Sequence, residues 1–146
     1  MKNLDDVATC KELYRDLLAA VEKGNKLDMQ GEHSLALDEY KLAWEMIPKP
    51  VEAWSESHWI ASCFIETYLD MGDPVSAKSW CDILLKTKKS EVDSASIVTA
   101  GRVYFELGDM GGAYDFFRKA FELGKRRAFE GYDSKYLKFY LAQTAE

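Results

Sequence analysis

Two histidines and three cysteines are the residues that could carry nucleophilic or metal chemistry in this chain. His58 and Cys63 are the closest His–Cys pair. A helix would turn them about 140° apart, which is a poor arrangement for a base and its nucleophile. His33 and His58 are too far apart in sequence to suggest a zinc site on their own, so no metal ligand set is expected. Gly108-Asp109-Met110-Gly111-Gly112 is rich in glycine. A phosphate loop needs a following Lys and Ser/Thr, and Ala113 and Tyr114 follow instead. Neighbouring acids such as Asp5-Asp6 and Asp38-Glu39 read as helix-surface charges. Cys10, Cys63 and Cys81 form no CxxC pair, and Cys63 and Cys81 read as small buried hydrophobes. The residues give no catalytic site and call for no cofactor.

Length and composition bound what else the chain can be. Its 146 residues fit a single domain spanning 1–146. A chain of that size buries about 68–70% of its unfolded surface without help from disulfides or metal. Hydrophobic residues make up 47% and charged residues 30%, which is globular rather than disordered. The net charge of −6 disfavours nucleic acid, whose binding relies on Lys and Arg displacing counterions, and favours a basic protein or peptide partner. An odd cysteine count without close spacing fits a reducing compartment, here read as cytoplasmic. No apolar run approaches the ~20 residues that span a bilayer, and the first residues do not form a signal peptide.

The elements that would position a binding surface come from a repeat. Ile97, Ala100, Gly101 and Tyr104 are followed by Gly108-Asp109, then by Ala113, Phe117 and Ala120. Tyr68, Gly72-Asp73, Ala77, Cys81 and Leu84 repeat the pattern, as do Gly24, Leu27, Gly31-Glu32, Ala36, Tyr40, Ala43 and Pro48. In each unit, two apolar stripes of helical period flank a glycine turn. Small residues let two helices approach, and the aromatic opposite fills the remaining space. Such a pair leaves apolar surface uncovered, so neighbouring pairs must stack. Asp73-Pro74 and Asp109 read as helix N-caps, and Gly124 as a C′ glycine.

This pattern resembles the tetratricopeptide repeat (TPR) family, whose motif runs W-x2-L-G-x2-Y, A-x3-F and P over about 34 residues. The third unit matches at Gly101, Tyr104, Ala113, Phe117 and Ala120, and departs at Ile97, Ala100 and Lys125. The second has Ile65 at the glycine position and Cys81 at the aromatic one. The expected fold is all-α, a right-handed superhelical stack of three TPR-like hairpins, at about 17–50, 58–91 and 94–127. An N-terminal helix extension covers 4–16, and a capping helix covers about 133–144. The expected helices span about 5–30, 33–46, 51–71, 74–87, 93–107 and 110–123, with the extra residues 49–57 lengthening the third helix or its loop.

A stack of this kind lines a groove with the first helix of each pair. Rotation by about 100° from the core stripe places Leu18, Val21, Asn25 and Asp28 there in the first unit. Trp59, Ser62, Glu66 and Leu69 follow in the second, and Ala95, Val98, Arg102 and Phe105 in the third. Leu18, Val21 and Val98 also suit plain packing. Trp59 and Phe105 are the expected anchors, with Glu66, Asp28 and Arg102 selecting charge. On the terminal helix Tyr136, Phe139 and Tyr140 share one face and Leu137 and Leu141 a neighbouring one, so either both stripes bury or the aromatic one meets a partner.

The resemblance implies protein or peptide binding without catalysis. Some TPR domains hold a C-terminal carboxylate with a clamp of Lys, Asn and Arg. Asn25 matches the clamp Asn, but the other positions fall on Val21, Cys63, Ala95 and Thr99, so the cations are missing. Size, acidity and the aromatic tail are similar to small stand-alone bacterial TPR proteins that act as toxin immunity proteins, which implies neutralisation of a basic toxin. The alternatives are a scaffold joining two proteins and, more remotely, a cryptic enzyme.

Overall fold

The computed structural model describes residues 1–87 and 92–145. Their regular structure is helical: α1 (Lys11–Met29), α2 (His33–Glu45), α3 (Ser55–Asp70), α4 (Pro74–Lys86), α5 (Ser94–Glu106), α6 (Met110–Gly124) and α7 (Ser134–Thr144). The chain divides into two compact units, Met1–Thr87 and Lys88–Glu146. In the first, hairpins α1/α2 and α3/α4 stack through α2 and α3. In the second, α5 and α6 form a hairpin on which α7 packs. Residues 88–91, the expected end of the second repeat, lie outside the described residues.

The three hairpin turns share one construction. Gly31, Gly72 and Gly108 adopt φ of 81°, 73° and 85°, a conformation glycine enters without a Cβ clash. Each glycine N–H donates to the carbonyl three residues back. The next residue donates five back, Glu32 to Leu27 (2.9 Å), Asp73 to Tyr68 (2.8 Å) and Asp109 to Tyr104 (3.0 Å). This paired bonding satisfies carbonyls that a helix end leaves open. Asp73 and Asp109 then start the following helix, their Oδ1 atoms accepting from Ser76 N (3.1 Å) and Gly112 N (2.9 Å). Those two hydrogen-bonded caps are where the sequence places them. The hydrogen bonds from Ser76 hold the Asp73 carboxyl below its ordinary range.

Each hairpin closes on a small–large pair. A Cβ on Gly24 would lie 2.6 Å from the Tyr40 ring, and one on Gly101 would lie 2.5 Å from the Phe117 ring. The second hairpin inverts the pair, with Ile65 at the glycine position and Cys81 at the aromatic one, both buried. One residue earlier in each helix, chemistry varies at fixed register. Lys23 and Glu39 form a salt bridge (3.2 Å), whereas Phe64 and Trp80 stack at 3.9 Å and 7°.

Three local expectations are corrected. The first helix starts at Lys11, not near residue 5. Residues Leu4–Asp6 and Ala8–Cys10 are 3₁₀ turns separated by an extended Val7 (φ −101°, ψ 115°). The third helix starts at Ser55, after a 3₁₀ turn at Val51–Ala53 and an extended Trp54. The two corrections have one cause. Lys2 N donates to the Ala53 carbonyl (2.9 Å), Ser55 N to the Lys2 carbonyl (2.8 Å), and Leu4 N to Glu56 Oε1 (2.9 Å). Leu4 is thereby fully buried. The extra length between the first two repeats makes a dock for the N-terminal segment. Gly124 is not left-handed (φ −132°); Lys125 is (φ 54°). Gly124 instead permits a close approach, since its Cβ would stand 3.2 Å from that of Ala128.

Candidate protein-interaction site

In the first unit, α1 supplies Asn25 and Asp28, and α3 supplies Trp59, Cys63, Glu66 and Leu69. Asn25 Oδ1 accepts from the Tyr40 hydroxyl at 2.7 Å and from the Cys63 thiol at 3.8 Å. With its oxygen engaged by the protein, the Asn25 amide nitrogen remains the donor end of the group. Asp28 Oδ1 pairs with His33 Nδ1 at 2.7 Å, joining the end of α1 to the start of α2. Burial pushes the Cys63 thiol up to about 12, and the charges of Asp28 and Glu66 push it the same way. Cys63 is thus a neutral thiol within the electrostatic reach of two carboxylates. Burial likewise raises the Tyr40 phenol to about 12, with Cys63, Asp28 and Asp70 adding to it. Trp59 is half-buried against the first unit's core, and Leu69 is half-buried. Leu18 is half-buried and Val21 fully buried, the latter in a core role.

His58 and Cys63 face different partners. His58 Nδ1 bonds Thr87 Oγ1 (3.0 Å) at the end of α4, while Cys63 turns to Asn25. Cys81 is buried, and burial is the main cause that raises its thiol to about 12. Among the described residues, no three His, Cys, Asp or Glu side chains gather in a way that could hold a metal ion. No helix of the described residues is long and apolar enough to cross a membrane.

In the second unit, Val98 is buried, and Arg102 and Phe105 meet α7. The Arg102 guanidinium lies 4.8 Å from the Tyr132 ring and 5.8 Å from that of Tyr136. Phe105 makes edge contacts with Tyr136 and Phe139, both at 5.3 Å. Tyr136 and Tyr140 are buried, and Leu137 and Leu141 pack on the same core, so both stripes of α7 are used within the unit. Phe139 remains half-buried. It also lines a feature the sequence did not suggest, a cleft of about 340 Å³ formed with Met110, Gly111, Tyr114 and Gln143. Its one sequence trace is Gly111, which puts no side chain into the cleft.

Glu106 ties α7 down, accepting from the Tyr136 hydroxyl and the Lys135 ammonium, both at 2.8 Å. Burial pushes the Glu106 carboxyl up. The hydrogen bonds from Lys135 and Tyr136, with the charges of Lys135 and Arg102, outweigh burial and hold it below the ordinary carboxylate range. A depressed folded pKa gives stability that is present above the unfolded value, near 4, and lost as pH falls through the folded one. Glu106→Gln is expected to flatten that acid limb in pH-dependent urea unfolding. The loss at pH 7 should be small, about 0.2–1 kcal/mol, because both partners are substantially solvated. An unchanged acid limb would count against the pair.

No protein-family model matches the chain, and no curated protein matches it. Among solved structures it is similar to the first TPR domain of Spaghetti (RPAP3), determined with the HSP90 peptide SRMEEVD bound. Identity is 19%, the match covers 89% of this chain and 94% of that one, and the TM-score is 0.68. The fold is therefore a TPR fold. Within it, the positions matching the carboxylate clamp carry no cation. Val21 and Thr99 are buried, Ala95 is exposed, and Cys63 is the neutral thiol described above. Asn25 alone retains the clamp residue type.

Proposed function

We propose that this TPR-like chain is a non-catalytic protein-binding module that takes a basic protein or peptide segment on the first-helix face of its first unit. The observation that carries the reading is the placement of Asn25, Cys63, Asp28 and Glu66. The Asn25 amide sits beside a neutral thiol, and α1 and α3 each place a carboxylate, Asp28 and Glu66, three residues further on. The solved neighbour takes an acidic peptide; where a clamp would offer cations, this chain offers Val21, Cys63 and carboxylates nearby. The anion preference is thereby reversed. Composition supports the same sign. Residues 1–87 hold nine Lys and Arg against sixteen Asp and Glu, a net −7, while the remainder is +1. Trp59 and Leu69 supply apolar contact beside the charges, and the Asn25 amide can donate to a peptide carbonyl. Neutralisation of a basic toxin is the specific role this reading leads to.

A second reading, an adaptor joining two proteins, draws on the second unit. Its cleft beside Phe139 provides a separate place for a second polypeptide.

Calorimetric titration with a short Lys/Arg peptide tests the main reading. Glu66→Lys should weaken binding at least tenfold, equivalent to about 1.4 kcal/mol, and Trp59→Ala should weaken it comparably, with helical circular dichroism intact. If neither variant changes the affinity, recognition lies elsewhere.

A further inference from the structure

The second unit carries a cationic turn that its own fold leaves unmatched. Arg118, Lys119, Lys125, Arg126 and Arg127 fall within ten residues that include one acid, Glu122. All five are exposed, and among the described residues none of them forms a salt bridge. Lys119 and Lys125 rest over the rings of Phe116 and Phe121, at 6.0 and 5.6 Å, which steers their stems without neutralising them. The last turn of α6 holds no basic residue and Lys125 alone stands at its C-cap, so the helix dipole does not account for the whole cluster. Lys125 instead takes a left-handed backbone and carries Arg126 and Arg127 off the helix into the 3₁₀ turn Lys125–Phe129.

We propose that this basic turn docks on the acidic first unit of a second copy of the chain. The argument is charge complementarity. A compact unit of net −7 and five unpaired cations are encoded in one polypeptide, and guanidinium groups pair with carboxylates in a forked geometry. Asp28 and Glu66 are the docking carboxylates, so the inference rests on the function proposed above. A partner's basic segment would then compete with self-docking for one face.

Sedimentation velocity at 50 and 500 mM salt tests this. The wild type should form dimers or higher species at low salt, with an association at least about tenfold weaker at high salt. Arg126→Glu/Arg127→Glu should be monomeric, and so should Asp28→Lys/Glu66→Lys. An equimolar mixture of the two variants should associate, because an acidic turn now meets a basic face. Glu66→Lys alone replaces the double variant if that one loses helical signal. A monomeric wild type at both salts, or a mixture that stays monomeric, overturns the proposal. A monomeric wild type that still binds the Lys/Arg peptide overturns self-docking alone.

Discussion

Gly101→Ile and Phe117→Cys, combined, should cost much less stability than the two changes made singly. At Gly101 a Cβ would stand 2.5 and 2.6 Å from two Phe117 ring carbons and 3.2 Å from Phe116 Cβ. Phe117 is fully buried, so the ring cannot swing into solvent. Gly101→Ile alone overpacks the α5–α6 contact, at a cost of about 1–3 kcal/mol. Phe117→Cys alone opens a cavity, at about 3–5 kcal/mol by analogy with Phe→Ala. Together they reproduce the second hairpin, where Ile65 and Cys81 are both buried. The isoleucine then occupies space that the ring vacated. A double-mutant cycle from urea unfolding should return a favourable coupling of about 2–3 kcal/mol. In thermal melts each kcal/mol corresponds to about 2–4 °C for a chain near this size. Additive costs would show that the small–large inversion between repeats is coincidental.

That pair also shows why the fold was legible. A glycine facing an aromatic at fixed spacing has few uses besides a close helix crossing, and the same spacing recurs with the sizes inverted. Asp73 and Asp109 were readable because a short acidic side chain before a helix has one favourable partner, the N–H groups of the first turn. The N-terminal residues were not readable in this way. Leu4, Val7, Cys10 and Tyr14 keep helical spacing, yet the helix begins at Lys11, because residues 2–4 bond to a segment about fifty positions away. Periodicity reports which residues bury, and Leu4 does bury; it does not report the backbone that buries them. The proposed binding face was partly readable. Register placed Asn25, Asp28 and Glu66 on first helices, but that the Asn25 oxygen is engaged by Tyr40 and Cys63 needed coordinates. On α7 an aromatic stripe signals a need for cover, and sequence does not distinguish cover by Phe105 and Phe117 from cover by another protein. The cleft beside Phe139 joins residues from two helices with no shared period.

Leu4→Ala should be among the most damaging single changes in the first unit. The side chain is fully buried in the core with Leu17, Val21 and Ile60, whereas Met1 is 58% exposed. Truncating a buried leucine costs about 2–5 kcal/mol, so urea unfolding should shift to a clearly lower midpoint, and Met1→Ala should leave it unmoved. Glu56 separates this account from one in which the segment simply extends α1. Its carboxylate is buried and accepts the Leu4 N–H at 2.9 Å. Glu56→Ala should therefore leave a buried donor unsatisfied, at about 1–3 kcal/mol, and expose the Leu4 amide to faster hydrogen exchange. Glu56→Gln keeps an acceptor oxygen and should retain most of the protection. If α1 instead continued to residue 5, Glu56 would have no N-terminal amide to receive, and Ala and Gln would behave alike. Equal exchange at Leu4 in the two variants would rule out the docked segment, and with it the explanation of why the first repeat interval is longer than the second.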